Sequence, residues 1–288
     1  SRGLGDVYKR QGLKRGGKGN EKYYTKPEVV NKCLEEFKKL NIDKTTDVVI
    51  EPSAGNGSFT SRLVEYNSIS YDIVPEGENI IEQDFLKLDL TEGFQIPLHF
   101  IGNPPFGRQS SIAKKFIKHI CKCEKTKSFG FILPKSFKKP SMQQCIPLDF
   151  HIVSEIDIQD NGFSVNGKDY DVPCIFQVWE RRNENRYIEP KLEPKGFHFV
   201  KNKMEAMFAI RRVGVYAGKF IDLFQDGINF TNISDQSHYY IQLNNSMSFE
   251  DRIKLKERYY DTADFQHNNT VGPKSISKQE FIKVFNKL

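Results

Sequence analysis

The chain is 288 residues long and 38% hydrophobic, with 23 Phe and 12 Tyr, enough to bury a sizeable core in one large domain or in a catalytic domain with a smaller companion. Its formal charge of +6 permits a polyanionic partner without demanding one. No apolar run approaches the length of a membrane span and no signal peptide is visible, so membrane classes are excluded as an expectation.

Five scattered cysteines (Cys33, Cys121, Cys123, Cys145, Cys174) read as reduced thiols of an intracellular, cytoplasmic protein. Cys121 and Cys123 form only C-x-C with no second ligand pair, so no metal site is expected. Residues 1–11, SRGLGDVYKRQ, look like the in-frame translation of a transposon adapter used in sequencing libraries. They are expected to stand outside the gene, with the true N-terminus missing. Residues 12–22 are Gly/Lys-rich, and 1–22 together are expected to form a disordered tail.

The ordered chain is expected to begin at Tyr23-Tyr24-Thr25-Lys26-Pro27-Glu28. Thr25 with Glu28 three residues on predicts a capping box, and Pro27 suits a first helical turn. Val29, Val30, Cys33, Leu34, Phe37 and Leu40 then recur at helical spacing.

Val48-Val49-Ile50 predicts a short buried strand running into Glu51-Pro52-Ser53-Ala54-Gly55-Asn56-Gly57 and a helix from about Ser58 to Tyr66, the first half of a βαβ unit. Gly55 and Gly57 permit a tight turn and close ligand approach. The absence of G-x-G-x-x-G disfavours a dinucleotide site, and the absence of Gly-Lys-Ser/Thr excludes a P-loop. A second strand, Ile69 to Asp72, ends in a carboxylate that can accept two ribose hydroxyls. A third, Asn79 to Ile81, leads into Gln83-Asp84-Phe85.

The fourth strand, from Leu98, ends in Gly102-Asn103-Pro104-Pro105-Phe106-Gly107. Two prolines fix φ and carry no N–H, so the loop is stiff and its carbonyls are free to accept. The Asn103 side-chain oxygen beside the Pro104 carbonyl makes two acceptors aimed at one point, and Phe106 can stack on a planar group held there. A ring bearing an NH₂ on its edge, such as adenine, fits that arrangement. The competing reading is a plain proline turn at a strand end.

Beyond it lies a lysine-rich helix, Gln109 to Lys122, whose lysines equally suit a solvated face. A strand from Phe129 to Leu133 leads to a basic loop, Pro134 to Pro140. Between Arg108 and Lys139 there are ten Lys/Arg and one Glu, and Lys135, Lys138 and Lys139 are the expected phosphate contacts. His151 to Ile158 and Cys174 to Glu180 read as the last two strands, with a hairpin signal at Val165–Lys168 between them. Residues 183–195 read as a linker and 196–288 as a mixed α/β region. Fifteen Lys/Arg against eleven Asp/Glu over 191–288 leave that end basic, at +4.

The set Glu51–Gly57, Asp72, Asp84-Phe85 and Asn103-Pro104-Pro105-Phe106, with Tyr24-Thr25-Lys26-Pro27 in front, resembles the S-adenosylmethionine-dependent adenine-N6 methyltransferases. The order matches the subgroup that places the cofactor motif before the catalytic motif and the target-recognition region last. The resemblance covers roughly residues 23–182, and its motifs are specific as a set and weak singly. It implies a Rossmann-like class I methyltransferase fold of mostly parallel seven-stranded α/β type, with a small C-terminal α+β region at 196–288 for target recognition. It implies S-adenosylmethionine as cofactor, held by Tyr24, Thr25, Pro27, Glu51, Pro52, Ser53, Ala54, Gly55, Gly57, Asp72, Asp84 and Phe85. Asn103, Pro104, Pro105 and Phe106 would then be catalytic, and Phe163 a second stacking face for the target base or else a core residue. DNA is the expected partner. RNA adenosine, a protein glutamine amide, or a non-catalytic nucleic-acid-binding module are the alternatives.

Overall fold

The computed structural model describes residues 23–165, 167–225, 227–228, 230, 233–265 and 274–288. The adapter-like and tail segments, Asn166 of the hairpin signal, and Gly272 and Pro273 lie outside the described residues. The chain divides into two compact units between Tyr187 and Ile188.

The first unit carries seven strands that pair into one sheet: β2 (Val48–Glu51), β3 (Ser68–Asp72), β4 (Ile80–Glu82), β5 (Leu98–Gly102), β6 (Thr126–Pro134), β7 (Phe150–Asp157) and β10 (Cys174–Arg181). Their order is β4-β3-β2-β5-β6-β10-β7. The first five run parallel, and β10 is antiparallel to both β6 and β7. This is the strand order and polarity of the Rossmann-like class I methyltransferase fold, with the expected antiparallel close. A separate three-stranded ribbon joins β1 (Tyr24–Thr25), β8 (Phe163–Val165) and β9 (Lys168–Tyr170). It ties the start of the ordered chain to a hairpin about 140 residues later.

Both faces of the sheet are covered because its central strands are apolar on both sides, as parallel strands require. Helix α1 (Pro27–Phe37) lays Val29, Val30, Cys33 and Phe37 against Val49, Ile101, Ile132 and Phe176. Helix α2 (Ser111–Lys122) lays Ile112, Phe116, Ile117 and Ile120 against Phe100, Phe129 and Phe131. Successive residues such as Phe100 and Ile101 thus enter opposite cores, as the two-residue period of a strand dictates. At the N-terminal end of the sheet, buried His99 is hydrogen-bonded to Ser128 at 2.7 Å and to Asp47 at 3.1 Å. Ser128 is only 1% exposed, so this Ser-His-Asp grouping is a polar clamp within the sheet and no nucleophile.

Two local expectations are corrected. The Thr25–Glu28 capping box does not form: the N-cap is Lys26, with no side-chain cap, and the Thr25 hydroxyl is engaged elsewhere. The helix expected over Ser58–Tyr66 is only one 3-10 turn, Thr60–Arg62. Its Ser and Thr side chains compete with helical bonding: Ser58 donates to Asn56 and Thr60 donates to Glu51 and Ser70.

The second unit is a four-stranded antiparallel sheet, β11 (Phe197–Val200), β14 (His238–Leu243), β12 (Phe208–Arg211) and β13 (Phe220–Asp222), in that spatial order. Helices α3 (Phe249–Thr262) and α4 (Lys278–Phe285) cover one face. Phe197, Phe208, Phe281 and Phe285 form an aromatic centre between sheet and helices. Among the described residues no helix is long and apolar enough to cross a membrane.

Candidate active site

The C-terminal ends of β2, β3 and β5 carry the residues singled out by sequence. The turn after β2 is held from several sides. Gly57 N–H donates to the Ala54 carbonyl at 2.8 Å, and Ala54 N–H to the Tyr71 carbonyl at 2.9 Å. Gly55 and Gly57 take φ of +54° and +81°, values a side chain at either position would strain. Asp72, at the end of β3, accepts the Gly55 N–H on one carboxylate oxygen at 2.7 Å and the Val74 N–H on the other at 2.8 Å. Each oxygen keeps a further lone pair for an outside hydroxyl.

Two residues that the sequence reading missed complete this turn. Glu76 N–H donates to the Gly55 carbonyl at 2.9 Å, and its carboxylate accepts from the Tyr24 hydroxyl. Burial, the bond to Glu76 and the nearby negative charges of Glu76 and Asp72 push the Tyr24 phenol up to about 12. A Cβ at Gly77 would lie 2.7 Å from the Asn56 carbonyl oxygen, so that backbone approach requires glycine. Nothing in the local pattern Pro75-Glu76-Gly77 announces these contacts, because they cross from one loop to another.

Glu51 ends β2 and is 2% exposed. Thr60 donates to its carboxylate and also reaches Ser70 at 2.8 Å. Burial pushes the Glu51 carboxyl up to about 8, against the opposing pull of the Thr60 bonds and with a further rise from Asp72. It faces the next loop, since a Cβ at Gly102 would touch Glu51 Cγ at 3.4 Å. A buried carboxylate of this kind ionises readily only when a cation comes to it.

Asp84 supplies the clearest opening for a ligand. One carboxylate oxygen accepts the Leu86 N–H at 3.2 Å. The other, Oδ2, is buried and has no hydrogen-bond partner, with the Lys87 ammonium at 3.5 Å. A buried acceptor left unpaired is unfavourable, and an amine edge would satisfy it. These acceptors and the open turn fit a cofactor that bears an ammonium, a hydroxyl pair and an aromatic amine.

On β5, the loop places Asn103 between two supports. Its side-chain NH₂ donates to the Thr25 hydroxyl at 3.2 Å, and its carbonyl accepts from Ser53 Oγ at 3.4 Å. Thr25 is buried and held in place by β1–β8 pairing opposite Phe163. Among the described residues neither the Asn103 side-chain oxygen nor the Pro104 carbonyl accepts a hydrogen bond. Pro104 is buried, while Asn103, Pro105 and Phe106 are half-buried. The loop closes through the Phe106 carbonyl, which accepts the Ile112 N–H at 3.0 Å. Pro52 is buried, and Pro27 is exposed at the first position of α1.

Three expected site residues are placed otherwise. Phe85 is 2% exposed and packs against Phe100 and Phe116 in the core, so its ring has no face for a ligand. Phe163 is likewise 2% exposed within the opposite core and takes the core alternative of its reading. Lys135 and Lys138 reach Asp157 on β7 at 3.7 and 3.0 Å, and Lys138 also reaches Glu155 at 3.5 Å. Burial pulls the Lys138 ammonium down, but the bond to Asp157 and the two acidic charges outweigh it and hold the pKa above the ordinary value. The strand acids therefore neutralise the two lysines offered to phosphate, a pairing the one-dimensional charge count hides. Lys139 ends the same turn. Among the described residues no group of three His, Cys, Asp or Glu gathers as a metal would need, and all five cysteines are free.

No protein-family model and no curated protein matches the chain. Solved structures are similar to it. The 23S rRNA methyltransferase ErmE is 16% identical over 54% of this chain and 69% of its own, with a TM-score of 0.40. TrmN from Thermus thermophilus is 11% identical over 52% of this chain and 48% of its own, at 0.36. A human methyltransferase 10 domain containing protein is 9% identical over 57% of this chain and 85% of its own, at 0.40. At such identities the likeness is one of fold, and the fold itself stands on the strand order of this chain.

Proposed function

We propose that the chain is an S-adenosylmethionine-dependent methyltransferase that acts on nucleic acid, and that it methylates adenine at N6, with DNA as the favoured target. The observation that carries this reading is the state of the Asn103 amide. Its NH₂ is committed to Thr25, and its oxygen remains to accept, next to the Pro104 carbonyl. The order of motifs described above supports the same chemistry.

When bound, the cofactor supplies an electrophilic methyl group. Glu51 and Asp72 are the candidates for its ammonium and hydroxyls, and Asp84 Oδ2 for its aromatic amine. The exocyclic nitrogen of adenine is a weak nucleophile because its lone pair is delocalised into the ring. Two acceptors on its hydrogens favour a pyramidal nitrogen and localise that lone pair. The interaction strengthens as charge develops, and this is the kind of preorganised stabilisation that raises rate and not merely affinity. Pro104 and Pro105 keep the loop from relaxing, so alignment is set before the base arrives. Phe106 offers the stacking face. No strong base or metal ion is needed by this scheme.

The test is incubation with tritiated S-adenosylmethionine and, separately, DNA, RNA or protein, followed by nucleoside analysis. Label in N6-methyladenine is expected, from DNA above RNA. Label in protein glutamine, or none with any acceptor, overturns the reading.

A further inference from the structure

The cations that best suit a phosphate chain lie in the second unit. Arg211 and Arg212 end β12, and Lys219 and Tyr216 occupy the turn that leads to β13. The Arg211 guanidinium and the Lys219 ammonium both stand 5.9 Å from the centre of the Tyr216 ring. Arg212 stands 5.6 Å from the ring of Tyr239 on β14, whose ring is 5.6 Å from that of Phe199 on β11. Lys278, at the start of α4, lies 4.5 Å over Phe199. Charge and ring therefore alternate along one connected stripe: Lys219, Tyr216, Arg211, Arg212, Tyr239, then Phe199 and Lys278. Its one neighbouring acid is Glu280, whose charge is felt at Tyr239.

Two features separate this stripe from an ordinary solvated surface. First, none of Arg211, Arg212, Lys219 and Lys278 forms an ion pair among the described residues, whereas Arg252 in the same unit is paired with Asp222 at 3.2 Å. Second, both arginines are anchored through Nε. Arg211 Nε donates to the Val213 carbonyl at 3.2 Å, and Arg212 Nε to the Gln236 carbonyl at 3.0 Å. Anchoring fixes the guanidinium planes and leaves their charge uncompensated by any carboxylate, a preorganised arrangement for phosphate oxygens. Tyr216 is 64% exposed and next to Val215, which is 81% exposed. An exposed ring flanked by cations suits a base with its phosphates on either side.

We propose that this stripe binds single-stranded polynucleotide, with Arg211, Arg212, Lys219 and Lys278 on phosphates and Tyr216 stacked on a base. Single strands are favoured over duplex because only an unpaired base presents its face to Tyr216. The inference rests on the nucleic-acid part of the proposed function and not on the methyl-transfer step.

The experiment is fluorescence anisotropy of labelled single-stranded DNA, single-stranded RNA and duplex DNA with the full chain, over a salt series. The single strands are expected to bind more tightly than the duplex. Tyr216→Ala should weaken single-strand binding by about 5- to 100-fold, the range of one lost stacking contact, and leave duplex binding little changed. Arg211→Gln with Arg212→Gln should flatten the slope of log affinity against log salt by about 1.4, at roughly 0.7 per single-strand phosphate lost. Should that pair disturb the fold, Lys219→Gln with Lys278→Gln, both exposed and free of ion pairs, should lower the slope by the same amount. Lys135→Gln with Lys138→Gln, neutralised by their own acids, should change it far less. Tighter binding of duplex, or stripe variants that bind as the wild type does, overturns this inference alone. Failure to bind any polynucleotide removes the proposed substrate class as well.

Discussion

The side-chain amide of Asn103 donates to the hydroxyl of Thr25 at 3.2 Å, a bond between residues 78 apart in sequence. Thr25 is itself fixed by pairing with Phe163, so the orientation of the amide depends on three distant segments. This makes Thr25 a positioning residue for the proposed chemistry. Asn103→Ala is expected to lower single-turnover methylation by about 10²–10³, the usual loss for one preorganised donor or acceptor, with cofactor and oligonucleotide binding retained. Thr25→Val should lower the same rate by roughly tenfold through misorientation of the amide, and Thr25→Ser should restore it. Wild-type rates in Asn103→Ala would reduce the loop to a proline turn. A wild-type rate in Thr25→Val alone would confine the loss to Asn103.

The orphan oxygen of Asp84 leads to a sharper expectation than its position in sequence does. Asp84→Asn can keep the acceptor that caps the turn at Leu86 while presenting NH₂ where Oδ2 now stands. Calorimetric titration with S-adenosylmethionine should then show affinity weakened by about 1–3 kcal/mol, as for a lost bond to a charged group. Asp72→Ala should weaken it at least as much, since it also releases the Gly55 turn. If Asp84→Asn binds as tightly as the wild type, Asp84 belongs to the turn only.

Glu51 makes stability depend on pH. Its folded pKa of about 8 lies above the ordinary value of 4.5, chiefly through burial. Below the ordinary value both states hold the proton and there is no penalty. As pH rises toward 8 the unfolded chain gains from ionisation and the folded one does not, so stability is lost across that window. Glu51→Gln removes the effect. Its melting temperature should equal that of the wild type near pH 4, exceed it progressively up to pH 8, and hold a constant gap above. A gap that does not change with pH would mean that Glu51 is already ionised in the folded protein.

Gly77→Ala should act on the cofactor turn from outside it. The added methyl meets the Asn56 backbone at 2.7 Å, where no flexible side-chain end can give way. An overpacked contact of this kind costs about 1–3 kcal/mol, and the shift should weaken cofactor binding as well. Thermal unfolding and titration of the one variant read both effects. An unchanged melting temperature with unchanged affinity would show that the Glu76–Gly77 segment moves aside freely.

Sequence alone determined the sheet and the ingredients of the site. Apolar runs such as Val48–Ile50 and Phe129–Leu133 are strands by local pattern, and the run from Glu51 through Asp72 to Asn103 put an acceptor at each strand end. Those signals are local, so they survive without coordinates. The tertiary structure decided which side chains are open to a ligand. Phe85 and Phe163 sit in motif positions yet face opposite cores, because a strand or turn assigns each side chain a face that only packing reveals. Thr25 left its helix cap for Asn103, and Glu155 and Asp157 took the charge of Lys135 and Lys138. Each of these is a competition between a near and a far partner, and it is settled by distances that sequence spacing does not contain.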